Sequence, residues 1–228
     1  MEVLHRDKYL LAINKPPGLL AQPDHTGAPD VVTRGKRLLS ETTDAPFLGL
    51  VHRLDRPTSG IMVLARTSEA AATLSQQFRE RTVEKRYLAL VEGTLRGLGT
   101  WTDYIAKPGR TPRLVDPDHA KGKRAALDWQ VLATGEDRTL LQVELKTGRP
   151  HQIRLQATSR GHPVVGDQRY GAASTLERRA LALHHALLRV EHPADPRRIT
   201  VSAGPPALWS AVLTDTMHAA IERMLRHA

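Results

Sequence analysis

The chain has 228 residues, 40% of them hydrophobic, and 33 Lys and Arg stand against 24 Asp and Glu for a formal net charge of +9. That length supports a sizeable core, in one large domain or two small ones, and the positive excess points to a polyanionic partner, nucleic acid first. With no cysteine the chain has no disulfide, no thiolate nucleophile and no cysteine zinc site; residues 1–8 are too charged for a signal peptide, and no apolar run reaches membrane-spanning length, so the expectation is a cytoplasmic protein.

Residues 9–13 form a short apolar strand that ends at Asn14-Lys15-Pro16-Pro17-Gly18, a strong breaker. Residues 19–30 are loop-like. The spacing predicts a helix over 31–41, with Val32 and Leu39 on one face and Gly35 as a weak point, and a linker over 42–46.

An apolar run over 47–51 then delivers the chain to His52-Arg53-Leu54-Asp55-Arg56-Pro57-Thr58-Ser59-Gly60, and a second run, 61–65, leads away as a buried strand. Asp55 therefore sits on a strand-flanked loop between Arg53 and Arg56, where a scaffold presents reactive groups and where positive charge keeps a carboxylate ionised. The same pattern also suits a surface turn with a local ion pair.

A helix follows, capped by Thr67 or Ser68, with Ala71, Leu74 and Phe78 inward and Gln76, Gln77, Arg79, Glu80 and Arg81 outward. Residues 85–91 read as a strand with Tyr87 at its basic entrance, stopped by Gly93, and 100–106 as another. Residues 107–124 read as a basic, mobile loop, either an RNA-contacting arm or a solvated loop. Residues 125–132 and 140–145 alternate and form a hairpin with one buried and one wet face.

The hairpin leads to a helix opened by Pro150 and stopped by Gly161, with Ile153 and Ala157 inward and Arg149, His151 and Arg154 converging near its start as an anion site or, more plainly, as a basic wet face. Residues 161–171 are a turn-rich connector, and Arg178 and Arg179 are read as solvated. Residues 181–190 carry His184 and His185, which point to opposite sides and make a poor metal pair. A last strand, 199–201, precedes a C-terminal helix opened by Pro205-Pro206, with Trp209, Val212, Leu213, Met217, Ala220, Ile221 and Leu225 on its inner side.

No phosphate-binding loop, HExxH zinc motif or GxSxG elbow is present, and no second acid stands near Asp55 in sequence. What remains is a carboxylate, an arginine-rich surround and Tyr87, a set suited to an anomeric carbon whose base has left its stack.

In that set the chain resembles the RluA family of pseudouridine synthases. The 52–60 segment is similar to its HRLDxxTSG signature, 14–18 to NKPxG, 85–93 to KxYxALVxG, and 161–171 to GHPxxGDxxYG. Residues 147–154 are similar to TGRTHQIR with Pro150 in place of Thr, and 183–193 to LHAxxLxFxHP with His185 and Val190 in place of the usual Ala and aromatic. The resemblance implies an α+β fold, a mixed, mostly antiparallel central sheet flanked by helices and loops, and a single catalytic domain over 1–228 with no S4 RNA-binding domain. It implies isomerisation of uridine in rRNA or tRNA stem-loops, with no cofactor and no metal; a monomer without membrane contact is the separate expectation. Asp55 matches the catalytic Asp, Tyr87 the ring that stacks on uracil, Arg154 the Arg that pairs with that Asp, and Arg53 the Arg that fills the place of the flipped nucleotide. Arg149 and His151 complete the expected RNA-contacting set. A non-catalytic RNA-binding or RNA-folding protein on the same scaffold, and an RNA glycosidase, are the alternatives.

Overall fold

The computed structural model describes residues 1–40, 45–109, 111–177 and 180–227. In chain order the elements are β1 (Glu2–Arg6), β2 (Leu10–Lys15), α1 (Val31–Ser40), β3 (Gly49–Leu50), β4 (Ser59–Ala65), α2 (Ser68–Glu80), β5 (Glu84–Glu92), β6 (Leu98–Ala106), β7 (Arg113–Val115), β8 (Lys123–Thr134), β9 (Arg138–Leu145), α3 (Gln152–Thr158), β10 (Leu183–Glu191), β11 (Arg198–Ser202) and α4 (Asp215–Arg226). The fold is α+β and mostly antiparallel, as expected. The chain forms two compact units, one of Met1–Lys85 with His185–Pro206 and one of Arg86–His184 with Ala207–His227.

In the first unit β2 lies between β1 and β4, antiparallel to both, and β10 runs beside β4 and carries β11. All seven residues of β4 are buried, the signature of a strand covered on both faces. Its Ile61, Val63 and Ala65 pack with Leu10, Ala12, Leu74, Leu188 and Val201 in one core.

Helix α2 starts where expected, with the Thr67 hydroxyl accepting from the Ala70 amide and Arg81 ending it in the left-handed region at φ 63°. Gln77, expected outside, is buried: its amide group donates to the Glu191 carbonyl and accepts from the Glu191 N–H. Helix α1 buries Val31, Gly35 and Leu39, so Val31 rather than Val32 leads its inner face. Gly35 is the contact point, because a Cβ there would stand 2.5 Å from Leu48. The expected linker begins in residues outside those described, as do Arg178 and Arg179.

In the second unit β9 lies between β5 and β8, and β8 pairs with β6, all antiparallel. The hairpin expected over 125–145 is β8–β9. Its buried face is not a clean alternation, since Ala125, Ala126 and Leu127 are all covered. The basic stretch 107–124 is not loop throughout: Arg113–Val115 forms β7 on the edge of β6, and β8 already begins at Lys123.

Helix α3 begins at Gln152, after Pro150, and residues 152–157 are all buried, so it has no wet basic face. The expected C-terminal helix is two pieces. A 3-10 turn, Ala207–Ala211, holds Trp209, and a separate α4 is capped by the Thr214 hydroxyl, which accepts from the Met217 amide. The chain breaks there because a capping threonine followed by Asp215 is a helix start.

Candidate functional site

Asp55 and Arg53 belong to the first unit; Tyr87, Arg149, His151 and Arg154 belong to the second. Each group is built differently.

The loop over 51–58 joins β3 to β4 and is tied to the main chain of Gly18 in the Asn14–Gly18 turn. The Gly18 N–H donates to the Arg56 carbonyl at 2.8 Å, and Arg56 Nε returns a bond to the Gly18 carbonyl at 3.0 Å. The Asp55 carbonyl accepts from the Thr58 N–H at 3.1 Å, closing a tight turn around Arg56 and Pro57.

Beneath this turn lies Lys15, fully buried. Its ammonium donates to the carbonyls of Pro16 (3.1 Å), Leu19 (2.9 Å) and Arg56 (3.1 Å), one for each N–H. Burial pushes the Lys15 pKa down to about 7; the Asp55 charge opposes that shift and the Arg56 charge adds to it. Asp55 is half-buried, while Arg53 and Arg56 are exposed.

The other end of the loop is set by His52. Its ring stacks on Phe78 of α2, centroids 4.5 Å apart, and its Nε2 accepts from the Val63 N–H at 2.9 Å. An accepting Nε2 puts the proton of the neutral ring on Nδ1. Burial and then the Lys85 charge push the His52 pKa down to about 3, so the ring is uncharged at neutral pH.

Gly60 closes the segment at φ +114°, and a Cβ there would lie 2.4 to 2.8 Å from the His185 backbone. Only glycine fits that approach. His185 in turn holds the Ile61 carbonyl through Nδ1 at 2.7 Å.

In the second unit Tyr87 sits on β5 opposite Val143 of β9 and is 7% exposed. Arg154 on α3 points into the unit. Its Nε and Nη2 grip both oxygens of Asp167, at 2.6 and 2.8 Å, and both residues are buried. The Tyr170 ring lies 4.9 Å from the guanidinium carbon, and its hydroxyl meets His151 Nδ1 at 2.7 Å and the Pro112 carbonyl at 3.3 Å.

Of Arg149, His151 and Arg154, expected to converge, the last two meet through Tyr170, while Arg149 Nε donates to the Arg124 carbonyl. The start of α3 is fixed by Gln152, whose amide oxygen accepts from the Thr147 hydroxyl and the Arg149 N–H and whose NH2 donates to the Ala126 carbonyl. His151 precedes the helix in the left-handed region at φ 53° with no side-chain cap.

Lys15, His52, Asp167 and Tyr170 were not singled out by chemistry from the sequence. Their signal was position: each stands inside a segment that carries the family resemblance. Among the described residues no cluster of three or more His, Cys, Asp or Glu side chains suits a metal ion, and no helix is long and apolar enough to cross a membrane.

The family model described as RNA pseudouridylate synthase matches residues 9–159. The chain is 34% identical to "Ribosomal large subunit pseudouridine synthase D" of Nitrosomonas europaea, over 100% of this chain and 67% of that protein. It is 32% identical to "tRNA pseudouridine synthase C" of Salmonella typhi, over 94% of this chain and 89% of that protein. Among solved structures, "Human RNA Pseudouridylate Synthase Domain Containing 1" superposes with a TM-score of 0.75 at 26% identity, covering 100% of this chain and 95% of that one.

Proposed function

The chain belongs to the RNA pseudouridylate synthase family, isomerases that convert uridine in RNA to pseudouridine, and on that premise we propose that it acts on specific uridines in structured rRNA or tRNA stem-loops with Asp55 as the catalytic carboxylate. The reaction breaks the N1–C1′ bond and forms a C5–C1′ bond. C5 gives up its proton and N1 gains one. The change is redox-neutral and balanced in atoms, and this reading assigns it to side chains alone.

A carboxylate serves this exchange by two routes. It attacks C1′ to give an ester-like adduct that the turned uracil displaces through C5, or it removes a proton at C2′ so that the base leaves a glycal to which it rejoins. Both routes need Asp55 charged and fixed. What supports the assignment is the seating of its loop, with the Arg56 carbonyl taken by Lys15 and Gly18 on one side and His52 locked to β4 on the other.

In this reading the Tyr87 ring stacks on the extruded uracil and Arg154 supplies a fixed positive charge for anionic groups of the reaction. Arg53, exposed on the Asp55 loop, fills the gap left in the RNA stack, and Arg149 and His151 contact the RNA. The protein works as a monomer in the cytoplasm.

The test is release of tritium from C5 of labelled uridine in bulk tRNA and rRNA. Wild type releases it; Asp55→Asn releases none yet binds the same RNA. Binding by wild type without release would replace the enzyme with an RNA-binding or RNA-folding protein, and free uracil with abasic RNA would replace it with a glycosidase.

A further inference from the structure

A buried ion pair is a poor way to gain stability, because an apolar pair of the same volume does as well or better. The Arg154–Asp167 pair is such a case, with side chains 5% and 1% exposed. Its geometry is also specific: two parallel N–H···O bonds fix the plane of the guanidinium as well as its distance.

Asp167 is itself held rigidly. Its N–H donates to the Val164 carbonyl, and its own carbonyl accepts from the Tyr170 and Ala172 amides. The residue before it, Gly166, has φ +88°, and a Cβ there would lie 2.5 Å from the Ala180 carbonyl oxygen. The Gly-Asp pair is thus a backbone device for placing one carboxylate. Tyr170 adds a second support, its ring against the guanidinium and its hydroxyl anchored to His151 and to Pro112.

We propose that Asp167 and Tyr170 are positioning residues for Arg154, setting the plane of its guanidinium before RNA arrives. This rests on the reading of Arg154 as a participant in the isomerisation. Ordering a free Arg side chain costs rotamer entropy, and a grip made in advance removes that cost from the reacting complex. Lysine at 154 would meet Asp167 at a single point and have no plane to set.

The experiment measures single-turnover C5 tritium release and RNA affinity side by side, on labelled bulk tRNA and rRNA from cells lacking the protein, with thermal melts to establish folding. Asp167→Asn, which keeps shape and removes charge, is expected to lower the turnover rate about 30-fold with RNA affinity within about twofold. Tyr170→Leu is expected to lower it about 10-fold on the same pattern. In an Arg154→Lys background Asp167→Asn should add less than about threefold, because the residue acts through the guanidinium.

A folded Asp167→Asn protein with the wild-type rate overturns the proposal. So does full additivity with Arg154→Lys, which is what a merely structural role produces, and so does an Arg154→Lys protein with the wild-type rate. If Asp167→Asn does not fold, Tyr170→Leu decides, and an unchanged rate there overturns the proposal as well. Loss of release in Asp55→Asn alongside normal release in Asp167→Asn sinks this inference alone, whereas normal release in Asp55→Asn sinks the underlying assignment.

Discussion

The loop that carries Asp55 and the corner that carries Arg154 are held by opposite means. The loop is fixed through its backbone: a buried ammonium, a reciprocal pair with Gly18 and a histidine on a strand amide act on main-chain atoms. The corner is fixed through side chains, with Asp167 on Arg154, Tyr170 on His151 and Gln152 on Thr147. Among these bonds only Arg56 and His52 contribute side chains of the loop. Anchoring by side chain makes each residue of the corner answer for the shape as well as the charge. Substitutions at the anchors of the loop should therefore act on stability, and those in the corner on rate and stability together.

The largest expected effect tests the loop. Gly60→Ala puts a methyl 2.4 to 2.8 Å from the His185 backbone at a φ of +114°. Strain at that angle and displacement of a backbone rather than a flexible side chain together cost about 3 kcal/mol or more. Denaturant melts should show a fall of that size or failure to fold. A loss under about 1 kcal/mol would mean that the loop tolerates movement and that main-chain anchoring is not what fixes it.

Lys15→Met comes next, and its signature is a dependence on pH. The folded pKa of Lys15, about 7, lies below the ordinary lysine value of 10.5, so between the two the unfolded chain binds more protons than the folded one. Stability then rises with pH across that window and is flat in this contribution below about 7 and above about 10.5, with a slope of at most about 1.4 kcal/mol per pH unit. The methionine variant lacks that slope and leaves carbonyls without donors, at about 1 to 3 kcal/mol. Its deficit relative to wild type should therefore widen from pH 7 to pH 10. Parallel stability curves for the two proteins over that range would remove Lys15 as the buried anchor.

Which of these features the sequence revealed follows from what a periodic pattern reports. Strand β4, the Asp55 loop, α2 and the β8–β9 hairpin were legible because apolar runs and breakers mark them directly. Strand β1 was not, since Glu2-Val3-Leu4-His5-Arg6 is a mostly exposed edge with only two aliphatic residues. Gln77 was misplaced because a buried amide is satisfied by Glu191, 114 residues away, and no local spacing carries that partner. Helix α3 misled for a related reason: Gln152, Arg154 and Gln156 are polar and buried together, so the side that looked wet is packed. Motif position named Asp55, Tyr87 and Arg154 as candidates, whereas the bonds made by Lys15 and Asp167 needed distances.

Gln152→Ala sharpens the comparison from the corner side. It deletes bonds to the Thr147 hydroxyl, the Arg149 N–H and the Ala126 carbonyl and leaves a cavity at the start of α3. A loss of about 2 to 3 kcal/mol is expected, with a fall in the rate of C5 tritium release, because the residues it ties down lead directly into His151 and Arg154. Stability loss with an unchanged rate would show that the corner separates shape from chemistry after all.

The smallest expected effect on stability falls on the exposed cations of the stretch 107–124. Lys121, Lys123 and Arg124 are exposed there, and Arg149 bonds to the Arg124 backbone, so a side-chain change leaves that bond in place. Reversing all three to Glu should move stability by no more than about 0.5 kcal/mol for each substitution. RNA binding should respond far more strongly. Each cation that neutralises a phosphate releases condensed counterions, so removing one such cation makes the slope of log affinity against log salt shallower by about 0.7 to 0.9. A slope shallower by the equivalent of one or more phosphates would assign the arm to the RNA interface. An unchanged slope would place the RNA-binding charge of this +9 chain elsewhere on its surface.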